Sequence, residues 1–103
     1  MNPKMYRQGD VLIVESSKPV GLRQKMQRDT QARLILAEGE STGHAHAISS
    51  AAVSGYLYEM GTFLYVRESV DVQHEEHAPI RLDPGTYRVV RQRTFSGLGP
   101  VAD

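Results

Sequence analysis

The chain has 103 residues, room for one domain of ordinary size, and its 12 Lys+Arg against 12 Asp+Glu give no general attraction for nucleic acid. Hydrophobic residues at 40% and charged residues at 23% are ordinary globular usage and exclude a fibrous or low-complexity chain. The absence of Cys excludes disulfides, thiolate metal ligands and cysteine nucleophiles.

In chain order, MNPKMYRQGD lacks the apolar stretch of a secretion signal, and no run approaches the roughly 18–20 apolar residues that span a bilayer. A cytoplasmic protein with no membrane partner is therefore expected. Val11-Leu12-Ile13-Val14 follows Gly9-Asp10 and has the β-branched apolar pattern of a strand covered on both faces. The polar, cationic segment 16–33 suits a mobile loop, although Leu22 and Met26, four apart, also admit one amphipathic helical turn. Leu34-Ile35-Leu36-Ala37 resumes the strand pattern, the run 38–43 is loop-like, and His44 to Ile48 begins a further strand. Segments 56–60 and 63–67 flank Gly61-Thr62, which predicts a hairpin with a type II′ turn pairing Met60 with Phe63 and Tyr58 with Tyr65. Asp83-Pro84-Gly85-Thr86 predicts a type II turn joining Ile80-Arg81-Leu82 to segment 86–90. About seven short strands without a long helix predict an all-β fold, a small single-domain barrel or sandwich over residues 1–103. The glycine-rich tail 96–103 is expected to fray.

All four histidines fall in two tight pairs, His44 and His46 in GHAH and His74 and His77 in HEEH. On a strand, residues two apart project from one face, so His-Ala-His aims two imidazoles together. His74 and His77, three apart, meet on a turn or a single helical turn, which Pro79 keeps short. The 28 residues from His46 to His74 are no obstacle, since a β fold brings distant loops to one mouth. Imidazole ligates Zn, Ni, Cu and Fe, so His44, His46, His74 and His77 are candidate ligands for a divalent transition metal. Glu75 or Glu76 could add a carboxylate, orient an imidazole or move protons, and Glu38 and Glu40 are further carboxylates. The same residues also fit solvated polar turns, because HxH and HxxH are not specific by themselves.

Tyr56, Tyr58, Phe63 and Tyr65 place four of the seven aromatics on one hairpin face. That face suits core or dimer packing better than a stacking platform for bases or sugars, given the balanced charge. Arg88, Arg91 and Arg93, with Arg81 across the turn, fit the solvated edge of a sheet, or a site for phosphate or carboxylate. No nucleophile elbow, P-loop or dinucleotide fingerprint is present.

GESTGHAHAI and HEEHAPIRLDPGTYRVVRQRTF resemble a group of small, uncharacterised, β-rich bacterial and phage-associated proteins, over roughly residues 7–95. That resemblance implies no particular reaction. Gly39, His44 and His46 also resemble the start of the first motif of the cupins, metal-binding β-barrels, which implies metal at those histidines. The Gly39–His44 spacing is one residue short, no Glu stands at Ser50 or Ala51, and no His follows Pro84-Gly85. No carboxylate ligand is therefore carried over.

The leading expectation is a small metal-binding β protein that uses both histidine pairs, with its reaction unassigned. A non-catalytic interaction module, dimeric through the aromatic hairpin or the basic strand and with structural or pH-responsive histidines, is the alternative. A cupin-like metalloenzyme acting on a small molecule is the second alternative. Nucleic acid is not expected as a partner.

Overall fold

Alternation sets the first hairpin. The computed structural model describes residues 2–38 and 44–92, and begins with β1 (Met5–Gln8) and β2 (Val11–Glu15), which pair antiparallel across Gly9-Asp10. Val11 and Ile13 are fully buried, whereas Leu12 and Val14 lie half-buried on the opposite face. The other strands are β3 (Arg23–Lys25), β4 (Leu34–Glu38), β5 (Ala45–Ile48), β6 (Val53–Tyr58), β7 (Gly61–Val66), β8 (Val70–Val72), β9 (Ile80–Leu82) and β10 (Gly85–Arg91).

Six strands form one antiparallel sheet in the order β1-β2-β10-β7-β6-β3, and β4-β5 and β8-β9 form two hairpins. The inner face of the large sheet supplies Val11, Ile13, Val53, Leu64, Val66 and Tyr87 to the core. The hairpins supply Leu34, Ile48, Val70, Val72 and Leu82 to the same cluster, so the two layers share one core. The all-β expectation holds at this level, with ten strands among the described residues in place of about seven. The large sheet has free ends at β1 and β3, so the barrel alternative, and with it the closed barrel that a cupin resemblance implies, gives way to an open layered arrangement. No helix of the described residues is long and apolar enough to cross a membrane.

Three local expectations are corrected. The 56–67 hairpin turns at Glu59-Met60, pairing Tyr58 with Gly61 and Tyr56 with Phe63, two residues earlier than Gly61-Thr62. The shift is even, so Tyr56, Tyr58, Phe63 and Tyr65 still share a face. β9 pairs with β8 rather than with β10, and Pro84 therefore carries the chain from a hairpin into the large sheet instead of closing a hairpin of its own. Within segment 16–33, Arg23–Lys25 is a strand paired with β6 rather than a helical turn: Leu22 is 95% exposed while Met26 packs against the core. Residues 39–43, with Glu40, and the tail 96–103 lie outside the described residues.

Candidate functional site

The two histidine pairs meet because of one backbone bridge. Ala47 in β5 and Gln73, just beyond β8, exchange both backbone hydrogen bonds, at 2.9 and 2.8 Å. Extending that antiparallel register sets His46 opposite His74, Ala45 opposite Glu75 and His44 opposite Glu76. Each pair is in contact. The His46 and His74 rings lie 4.4 Å apart, Ala45 N–H donates to Glu75 Oε1 at 2.7 Å, and His44 Nδ1 is 3.4 Å from Glu76 Oε1. His77 completes the group, 4.6 Å from His74 and stacked on His46 at 6.0 Å, and His44 is 5.7 Å from His74. The structure thus brings all four sequence-nominated histidines into one cluster, with His74 and His77 on the β8–β9 loop.

Gln8 decides the chemistry of His46. Its Nε2 donates to the carbonyls of Val72 at 3.0 Å and Ala78 at 2.9 Å, so its Oε1 is left to accept. That oxygen lies 2.8 Å from His46 Nδ1. The Nδ1 is therefore the protonated nitrogen, and Nε2 presents a lone pair. Burial, reinforced by His74 and His77 and opposed by Asp10, pushes the His46 imidazole down to about 4. It is neutral at pH 7. Its Nε2 faces Asp10 Oδ1 at 3.5 Å, while Asp10 Oδ2 accepts from Arg91 Nε at 2.7 Å.

Gly9 leaves the space between the β1–β2 turn and the imidazoles: an added Cβ would sit 2.7 Å from His77 Nε2 and 3.3 Å from His46 Cε1. His74 Nδ1 accepts Glu76 N–H at 3.0 Å, which puts the neutral ring's proton on Nε2, a buried atom with no hydrogen-bond partner among the described residues. Glu75 is a tie between β5 and the loop rather than a donor facing the imidazoles, and the Ala45 N–H it accepts holds its carboxyl below the usual range. Among the described residues, no group of three or more His, Asp or Glu already has the arrangement of a metal site. A cleft of about 340 Å³ is lined by Arg33, Ala45, Gln73 and, from the cluster itself, His74.

Sequence reasoning nominated the imidazoles and passed over Gln8 and Asp10. Gly9-Asp10 reads as an ordinary turn, and Gln8 as one polar residue of an edge strand. The solvated edge expected for Arg91 is corrected: β10 lies between β2 and β7 inside the sheet, and Arg91 turns its charge onto Asp10. The apolar-to-cationic change along that face (Tyr87, Val89, Arg91) was the available signal. Arg93 lies outside the described residues.

A domain of unknown function, DUF8820, matches residues 7–92. The chain belongs to the DUF8820 family. The DUF8820 match takes in Gln8, Asp10, all four histidines and Arg91, so the whole cluster lies within the family's domain. No curated protein matches the chain, and no solved structure does.

Proposed function

We propose that this protein binds a divalent transition metal at the histidine cluster, with His46 and Asp10 as the first donors, His74 and His77 completing the shell and His44 at its rim. The observation that carries the reading is the convergence of four imidazoles from two chain-distant segments, supported by a neutral His46 whose lone pair faces a carboxylate. Two donors on a tetrahedral ion at about 2.0–2.1 Å stand about 3.4 Å apart. The 3.5 Å between His46 Nε2 and Asp10 Oδ1 fits that edge. Gln8 is the outer partner that a ligating imidazole needs to fix its tautomer. Full coordination calls for turning the His74 and His77 rings, both on the β8–β9 loop, and for His74 to give up the Glu76 N–H contact. When bound, such an ion supplies Lewis acidity and, with an open position, an activated water. The chain's own contribution is to hold the donors, keep His46 neutral and set Arg91 behind Asp10.

The test is reconstitution of chelator-treated protein with Zn, Ni, Cu or Fe(II), followed by metal analysis and calorimetric titration. One metal per chain is expected, with a stability gain of about 2.7 kcal/mol at a free concentration one hundred times Kd. His46→Ala and Asp10→Asn should each weaken binding at least about tenfold, and His44→Ala less. Substoichiometric uptake of all four metals, with melting indifferent to chelator, removes the proposal and favours a non-catalytic interaction module.

A further inference from the structure

The face of the large sheet turned away from the core has a composition of its own. One row across it reads Met5, Val14, Arg88, Phe63, Tyr56 and Lys25, strand to strand. The next reads Arg7, Leu12 and Val90 and then Gly61, Tyr58 and Arg23, and a third brings Thr86 against Tyr65 and Ser54. No Asp or Glu occupies any of these positions, and Glu59 sits in the turn beyond them. Arg7, Arg23, Lys25 and Arg88 are all exposed. Four of the 12 Lys+Arg thus stand on one sheet face at whose paired positions no carboxylate occurs.

The aromatics among them are held as a rigid group. Tyr56 and Tyr65 lie 5.1 Å apart, Tyr58 meets Phe63 edge-on at 5.4 Å, and the Tyr58 and Tyr65 hydroxyls hydrogen-bond to each other. Their faces already attract planar and cationic groups: the Arg23 guanidinium lies over Tyr56 at 4.1 Å and over Tyr65 at 5.8 Å, and Lys18 lies over Tyr65 at 5.4 Å. Tyr56, Tyr58 and Tyr65 are half-buried and lie outside the main core cluster, which uses the other face of β6 and β7 through Val53, Leu64 and Val66, whereas Phe63 is buried. Core packing therefore accounts for Phe63 and leaves the three half-buried tyrosines unaccounted for.

From this juxtaposition we infer that the outer face of the six-stranded sheet binds single-stranded nucleic acid, its bases stacking on Tyr56 and Tyr65 and its phosphates meeting Arg23, Lys25, Arg88 and Lys18. Rings interleaved with flexible cations suit a ligand that alternates flat, sequence-independent π surfaces with negative charge. Unpaired bases are required, because a duplex keeps its base faces stacked and a broad sheet does not enter its grooves. Arg23 is long enough to leave the Tyr56 ring for a phosphate when a base takes its place. The inference is independent of the histidine cluster, which lies under the opposite face.

The test is fluorescence anisotropy of labelled oligo(dT) and oligo(U) of about 12 nucleotides, with a duplex of equal length as comparison. Expected are binding of one or both single strands in preference to duplex, and a steep loss of affinity with salt. Tyr65→Leu, which keeps apolar bulk and removes the ring, should weaken binding about tenfold or more. The exposed double substitution R23Q/K25Q should weaken it and lower the salt slope by about 2. Arg81→Gln on β9 should change nothing. Should Tyr65→Leu fail to fold, as read by its melt, R23Q/K25Q decides. No anisotropy change up to about 100 µM protein at low salt, equal affinity in the R23Q/K25Q variant, or self-association through this face without oligonucleotide binding overturns the inference.

Discussion

Gln8 shows how one side chain can set the state of a site from its back. It is 2% exposed, and its amide spends both donor hydrogens on carbonyls, so the direction of its oxygen, and with it the His46 tautomer, is fixed by connectivity alone. Gln8→Leu keeps much of the volume and leaves Val72 O, Ala78 O and His46 Nδ1–H without that partner. One buried unsatisfied group costs about 1–3 kcal/mol, and partial relaxation of three together puts the expected loss at about 3 kcal/mol. Urea denaturation reads this as a lower midpoint at similar slope, and an unchanged midpoint would mean that the amide is dispensable. The sequence offers no sign of this role. A glutamine ending a four-residue strand is polar in any β protein, and only the arrival of Val72 and Ala78 from more than sixty positions away makes it an organiser.

At the scale of elements, the contrast between the histidine pairs and segment 16–33 explains what could be read in advance. The His-Ala-His parity is local, and β5 realises it directly; the meeting with His74 depends on the Ala47–Gln73 bridge, which has no local signal. The β6–β7 hairpin was legible because its alternation is strong. Its turn falls two residues before the predicted Gly61-Thr62 because Gly61, whose φ is 135°, begins β7 instead of occupying the turn. Segment 16–33 resists reading for a different reason: apart from Met26, which packs against the core, polar contacts order it. Arg28 donates to Ala32 O at 2.9 Å, Ser50 O at 2.9 Å and Val53 O at 2.7 Å, stitching the chain between β3 and β4 to the start of β6. Asp29 accepts the amide and the guanidinium of Arg33 and the amide of Gln31, which hold its carboxyl below the usual range. Arg28→Ala removes a charged donor from the carbonyls of Ala32, Ser50 and Val53, and from Ile48 O at 3.5 Å, and should cost about 2 kcal/mol. It should also open residues 20–33 to proteolysis well before global unfolding, because β3 is a three-residue edge strand with little else behind it. Equal protease resistance in the variant and the parent would show that the β3–β6 ladder alone carries the segment.

The whole molecule is two layers joined by one core, and Tyr87 is the largest side chain buried in it. Its ring is fully covered, meets Tyr6 edge-on at 6.1 Å, and its hydroxyl donates to Asp83 O at 2.6 Å. Burial, with the charge of Tyr6, Asp83 and Glu15 added, pushes the Tyr87 phenol up to about 12 from 10.0. A raised pKa means that the folded chain keeps a proton which the unfolded chain has already lost. The contribution is therefore fully present below pH 10 and fades as the pH climbs toward 12, with a ceiling of about 3 kcal/mol. Denaturation series at pH 9, 10 and 11 should show stability falling across that window, and ultraviolet titration should show one tyrosine ionising only as the fold gives way. Tyr87→Phe separates this cause from general alkaline repulsion. The variant loses the hydrogen bond to Asp83 and is less stable at pH 8, but its stability should decline less steeply between pH 10 and 12. If both proteins decline in parallel, the alkaline limit of this fold is set by surface charge, and Tyr87 contributes packing alone.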